Sequence, residues 1–161
     1  MKPRIVDSDS AIGEAQILKL ERALGFALPE EYRVFLIQNN GGRAHPDAVP
    51  TPSFPGSAAS SLKVFYGIGT AIQSEDLLRR YGVWIEDCPR HLLPIACDDG
   101  GSQYCLSLSG SDRGCVYYWD YYREAHSVKT KYPFTYLLAK SFEEFLESFR
   151  DILPEDMAPK S

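Results

Sequence analysis

No stretch of the chain approaches the roughly 18 consecutive apolar residues of a membrane-spanning helix. The opening Met1-Lys2-Pro3-Arg4-Ile5-Val6-Asp7 turns acidic before a signal-peptide core can form. On these features no membrane partner is expected, and a cytoplasmic location is. An excess of positive charge is also missing. The chain has 17 basic against 22 acidic residues, a net charge of −5, and a pI near 5.2. That balance opposes phosphate-driven binding, so nucleic acid is not an expected partner and a basic protein is. Histidine is scarce, and His45, His91 and His126 lie far apart without helical metal-ligand spacing, so no metal is expected. The four cysteines, Cys88, Cys97, Cys105 and Cys115, include no C-x-x-C pair and no nearby C-x-x-H, and reduced thiols are expected. No cofactor fingerprint is present: Gly67-Ile68-Gly69 is followed by Ile72 where a dinucleotide loop needs its third small residue, so it reads as a turn.

What is there suits one globular unit. With 161 residues, 44% hydrophobic and 24% charged, and with ordinary glycine and proline, the composition predicts a single domain over residues 1–161. Its core should span about residues 10–150, and its tail should fray over 154–161. Asp7-Ser8-Asp9-Ser10 offers caps for a first helix whose apolar stripe is Ile17, Leu20 and Leu24, stopped by Gly25. Leu28-Pro29-Glu30-Glu31 begins a second helix with proline at its first position, buries Tyr32, Phe35 and Leu36, and ends at Asn39-Asn40-Gly41-Gly42. The Pro-rich stretch from Arg43 to Ser61 reads as a long surface loop. A short strand over Leu62–Tyr66 and a short helix from Ser74 to Tyr81, stopped at Gly82, follow.

From Leu92 to Tyr122, alternation interrupted by two Gly-containing turns predicts a three-stranded antiparallel meander. If Gly100-Gly101 is a two-residue turn, Cys97 faces Tyr104, Ile95 faces Leu106 and Leu93 faces Leu108, with Cys97 and Cys105 on opposite faces. Pro94 then marks an edge strand or a late start. In the third strand Cys115, Tyr117 and Trp119 are expected to point inward, because the other register buries Asp120. Ser141-Phe142-Glu143-Glu144 is a capping box opening a last helix with the stripe Phe142, Phe145, Leu146 and Phe149. The fold class is therefore α+β: a mainly antiparallel sheet with an N-terminal helix pair and a C-terminal helix packed against it.

The order of these motifs resembles the SUKH superfamily, which includes yeast cell-wall-assembly regulators and many bacterial immunity proteins. The residues that carry it are Gly25, Leu28-Pro29, Tyr32, Phe35-Leu36, Asn40-Gly41-Gly42, Leu93-Pro94-Ile95-Ala96, Asp99-Gly100-Gly101, Tyr104-Cys105-Leu106, Gly114-Cys115-Val116-Tyr117-Tyr118-Trp119-Asp120 and Ser141-Phe142-Glu143-Glu144-Phe145-Leu146. Tyr121-Tyr122 departs from the His and acidic residue that relatives often carry there. The resemblance implies a non-catalytic immunity protein that neutralises a toxin, such as a nuclease, by occlusion.

On the residues themselves, the expected partner surface comprises Glu86, Asp87, Asp98, Asp99, outward Asp120 and Tyr122, with further acidic residues on the closing helix. Such a surface suits the basic groove with which a nuclease holds its substrate. Two other readings stand beside it: a regulatory protein-interaction module like the yeast relatives, and a small hydrolase using Cys88 or Cys97 with a histidine.

Overall fold

The computed structural model describes residues 1–84, 86–120 and 135–157. The chain opens with a short strand that alternation does not announce, β1 (Arg4–Val6). Helix α1 (Glu14–Leu24) starts at Gly13, whose N–H donates to Gln16 Oε1 at 3.0 Å, and buries Ile17, Leu20 and Leu24 as expected. Gly25, at φ 80°, ends it. Helix α2 (Glu30–Gln38) follows, with Pro29 as the flanking cap residue rather than the first helical residue, and buries Tyr32, Phe35 and Leu36.

The predicted loop after Gly42 is largely structured. It contains β2 (Arg43–His45), antiparallel to β1, then β3 (Ala48–Pro50) and the start of β4 (Ala59–Phe65). Ala44, Ala48, Val49 and Thr51 are buried in it. Its prolines sit at strand ends and in the connection, where no ladder donor is needed. A 3₁₀ turn (Gln73–Glu75) leads into α3 (Leu77–Trp84), which runs through Gly82 instead of stopping there. Strands β5 (Leu92–Asp98), β6 (Gln103–Ser107), β7 (Val116–Trp119) and β8 (Thr135–Ala139) then complete a six-stranded antiparallel meander in sequential order from β3 to β8. Helix α4 (Phe142–Glu147) has Ser141 as its cap, accepting from Glu144 N at 3.0 Å.

The β5–β6 register corrects the expected one. The turn uses Asp99-Gly100-Gly101, closed by Asp98 N–H to Ser102 O at 3.0 Å, with Gly101 at φ 91°. A three-residue loop of this kind needs a left-handed residue at its end, which glycine supplies. Cys97 therefore faces Gln103 and Ala96 faces Tyr104, and after a bulge at Ile95, Pro94 faces Cys105 and Leu93 faces Leu106. Cys97 and Cys105 consequently share a side of the sheet, contrary to expectation. All four cysteines are free. Pro94 lies in an inner strand, but β4 pairs with β5 only from Ala96 to Asp98, so its missing N–H breaks no bond on that side.

The third strand also adopts the rejected register. Val116 and Tyr118 face the main core, together with Leu93, Ala96, Tyr104 and Leu106, whereas Trp119 and Tyr117 face the reverse side. Helices α2 and α4 pack on the main core through aromatic contacts such as Phe35–Phe65 (4.9 Å), Tyr32–Phe142 (5.1 Å) and Tyr104–Phe145 (5.9 Å), and α1 adds Ile17, Leu20 and Leu24 to the same core. On the reverse face Trp119 meets Trp84 edge-on at 5.5 Å, beside Cys88, Leu92 and Cys105. Both faces are covered, so an inward and outward alternation cannot be read from polarity alone.

Of the tail expected to fray over 154–161, residues 158–161 lie outside the described residues and the first part is ordered. Pro154–Met157 forms a 3₁₀ turn whose Asp156 carboxylate takes two bonds from Arg150, at 2.6 and 2.8 Å, and one from Leu153 N–H at 2.7 Å.

Candidate functional site

The acidic surface expected from the sequence separates into two regions of different character. Glu86 and Asp87 are exposed on the turn after α3, near the start of β5. Asp99 is exposed at the far end of the same strand. Seven strand residues separate these regions, a distance of about 20 Å, so they do not form one patch.

Asp98 and Asp120 are buried, at 8% and 6% exposure, which corrects their expected place on the surface. The Asp98 carboxylate accepts from Ser60 Oγ (2.8 Å), Tyr118 Oη (2.5 Å), Gly100 N–H (2.9 Å) and Ser102 N–H (2.9 Å). Those four donors offset its desolvation and make it a joint between strands. Extending the β6–β7 register brings Asp120 level with Ser102 at the same end of the sheet. Tyr121, Tyr122 and His126 lie outside the described residues.

A further acidic region, assembled from distant segments, surrounds α2. Glu31 Oε2 accepts the Glu143 N–H at 2.9 Å, fastening the start of α4 to the start of α2. Lys2 pairs with Glu143, and that hydrogen bond chiefly raises its pKa. On the other side of α2, Arg33 pairs with Glu14 and approaches Glu21 and Glu30 at 3.6 Å each. Between β1, α2 and α4 lies a groove of about 290 Å³ with Ile5, Val34, Phe35 and Leu146 in its wall and Glu31 and Glu143 on its rim. The sequence signalled both carboxylate pairs as helix starts, and it placed acidic residues of the closing helix on the expected surface. It carried no sign that Glu31 and Glu143, 112 positions apart, meet here.

After α2, the Asn40 side chain holds two backbone segments, at Ser10 and at Ile68. Its Nδ2 donates to Ser10 O and Ile68 O, both at 2.9 Å, and its Oδ1 accepts from Ile68 N–H at 2.7 Å. Gly67 lies so close that a Cβ there would sit 2.7 Å from Asn40 Oδ1. Gly42, at φ 122°, would place a Cβ 2.5 Å from Val6 O. These are requirements of a particular fold, and the SMI1 / KNR4 family (SUKH-1) matches the chain over residues 11–148.

The chain belongs to the SUKH-1 family. It is also similar to the SPbeta prophage-derived uncharacterized protein YokK of Bacillus subtilis (strain 168), with 28% identity over 151 residues, covering 84% of this chain and 73% of the relative.

The residues that made this SUKH-1 chain recognisable are mostly structural: Leu28, Tyr32, Phe35, Leu36, Asn40, Leu93, Ile95, Tyr104, Leu106 and Phe145 are all buried. Burial governs the state of Cys97 and Cys105. Cys97 sits beside Tyr66, and burial is the main cause that pushes its thiol pKa up, which disfavours the thiolate. His91 precedes the start of β5 and Cys97 is near its far end, again about 20 Å apart along the strand. Cys88 lies buried against Trp84, Leu92, Cys105 and Trp119. Burial is the first cause that raises the Cys105 thiol, with neighbouring Cys88 adding to it. Among the described residues, no group of three or more His, Cys, Asp and Glu side chains is placed to hold a metal. No described helix is long and apolar enough to cross a membrane.

Proposed function

We propose that this SUKH-1 chain is an immunity-type protein. It binds a cognate toxin with a basic surface, such as a nuclease, in the cytoplasm of the producing cell and neutralises it by occlusion, without chemistry of its own. The observation that carries the reading is the family match over residues 11–148, taken with an acidic chain of net charge −5. A prophage-derived relative suits a protein used in competition between cells. Carboxylates exposed at Glu86, Asp87, Asp99, Glu30, Glu31 and Glu144 accelerate encounter with a cationic partner, because attraction acts before contact.

The test is co-expression of the chain with the toxin domain encoded beside its gene. Restored growth and a one-to-one complex whose association slows as salt rises support the reading. Continued killing, or a complex that leaves the toxin fully active, removes it. A complex formed at equal speed at all salt concentrations removes the electrostatic part.

A further inference from the structure

The two exposed acidic turns offer charge without a concavity, whereas the groove between β1, α2 and α4 combines both. Its apolar wall is Ile5, Val34, Phe35 and Leu146, and its rim carries the Glu31 and Glu143 carboxylates. Val34 is 42% exposed on the lip, and Ile37 on the same helix is 41% exposed. Exposed aliphatic side chains next to carboxylates form a surface that water covers poorly and a cationic, partly apolar segment covers well. The structure contains a small instance of that pairing. The cation lining the groove is the chain's own Lys2, in the strand-leading segment Lys2-Pro3, with its ammonium on Glu143 and Pro3 and Ile5 in the wall. Both partners of that ion pair are about half exposed, so it is held weakly and is open to exchange.

We infer that this groove is where the protein partner docks, through a segment that presents lysine or arginine next to one or two aliphatic side chains and displaces Lys2 from Glu143. The inference rests on the reading of the chain as a partner-binding protein and adds the place and the chemistry. A rival groove between α1 and α3, lined by Lys19, Leu20, Ile68, Asp76 and Leu78, carries one charge of each sign and gives no preference to a cationic partner.

The test uses the full-length ¹⁵N-labelled chain and a blocked pentapeptide of alternating Lys and Leu, with an alternating Glu and Leu peptide as control. Amide shifts clustered at Lys2, Glu31, Val34, Phe35, Glu143 and Leu146, absent with the control peptide, are expected. Affinity is expected to fall about fivefold between low and physiological salt, and about tenfold in the Glu31→Gln, Glu143→Gln double variant. Gln at position 31 retains an acceptor for the Glu143 N–H, so the start of α4 survives. Shifts centred on Glu86, Asp87 or Asp99, or indifference to the double variant, overturn the assignment.

A second variant, Val34→Lys, places a cation on an exposed lip without touching the core. It is expected to abolish protection against the toxin while circular dichroism and the thermal midpoint stay unchanged. Full protection by Val34→Lys removes the groove and leaves the immunity reading standing. Peptide docking in the groove, in a chain that protects against no neighbouring toxin, keeps the groove and removes that reading.

Discussion

The Tyr118 hydroxyl donates to the Asp98 carboxylate at 2.5 Å across the buried end of the sheet, joining β7 to β5. Ser60 on β4 binds the same oxygen, and the Gly100 and Ser102 amides hold the other. One carboxylate thus ties three strands to the β5–β6 turn. Burial first, and the adjacent carboxylate second, raise the Tyr118 pKa far above that of a free phenol, so the hydroxyl remains a donor at all ordinary pH.

Asp98→Ala leaves buried donors without an acceptor and should cost about 3 kcal/mol or more of unfolding free energy. Tyr118→Phe should cost about 1.5–3 kcal/mol, the worth of a hydrogen bond to a charged group. Asp99→Lys, on the exposed neighbour, should stay within about 0.5 kcal/mol of the parent. Urea unfolding of the three variants checks the order, and an Asp98→Ala protein as stable as Asp99→Lys would refute the structural role.

The Arg150–Asp156 pair makes a pH prediction. The Arg150 hydrogen bonds, with help from Leu153 N–H, lower the Asp156 pKa from 3.8 to about 2. A depressed carboxylate pKa stabilises the fold above the unfolded value, and that contribution disappears as pH falls from about 4 towards 2. Asp156→Asn should flatten the stability profile in this window while altering its slope little above pH 5. Unfolding midpoints measured from pH 2 to 6 decide it.

Gly42→Ala should destabilise by about 1–3 kcal/mol, through a positive φ and the approach of the new Cβ to Val6 O. Gly25→Ala, where a Cβ meets nothing within 4 Å, bears the positive φ alone and should cost less. Thermal melts of the two variants compare directly.

Trp119 is fully buried against Trp84, so Trp119→Ala should cost about 3–5 kcal/mol. Near-ultraviolet circular dichroism should lose its tryptophan bands, while the Asp98 network on the opposite face keeps β-sheet signal in the far ultraviolet. A variant with parental stability would show that the reverse face is solvent-facing.

The helices were legible because their signals are local. Ile17, Leu20 and Leu24 repeat at helical spacing up to Gly25, and Ser141 with Glu144 announces α4 within four residues. The sheet's inner strands were legible as strands but not in register. The bulge at Ile95 and the three-residue turn each shift the pairing, and neither follows from alternation. Asp120 is a related case: polarity favours the register that keeps it outward, but both sheet faces are covered, and the register that buries it seats Trp119 in the reverse cluster. For the candidate site, Glu86, Asp87 and Asp99 were found as exposed charges, whereas Asp98, of the same residue type and next in sequence to Asp99, is interior.

The sequence by itself determined the helix pair, the closing helix, the antiparallel character of the sheet, the absence of a long apolar run and the acidic balance, all of which depend on composition or on residues a few positions apart. Only the tertiary structure decided which carboxylates meet solvent, which sheet face each aromatic takes, and that β1, α2 and α4 enclose a groove. Those outcomes depend on contacts such as Glu31 with Glu143, made between segments whose separation along the chain leaves no periodic trace.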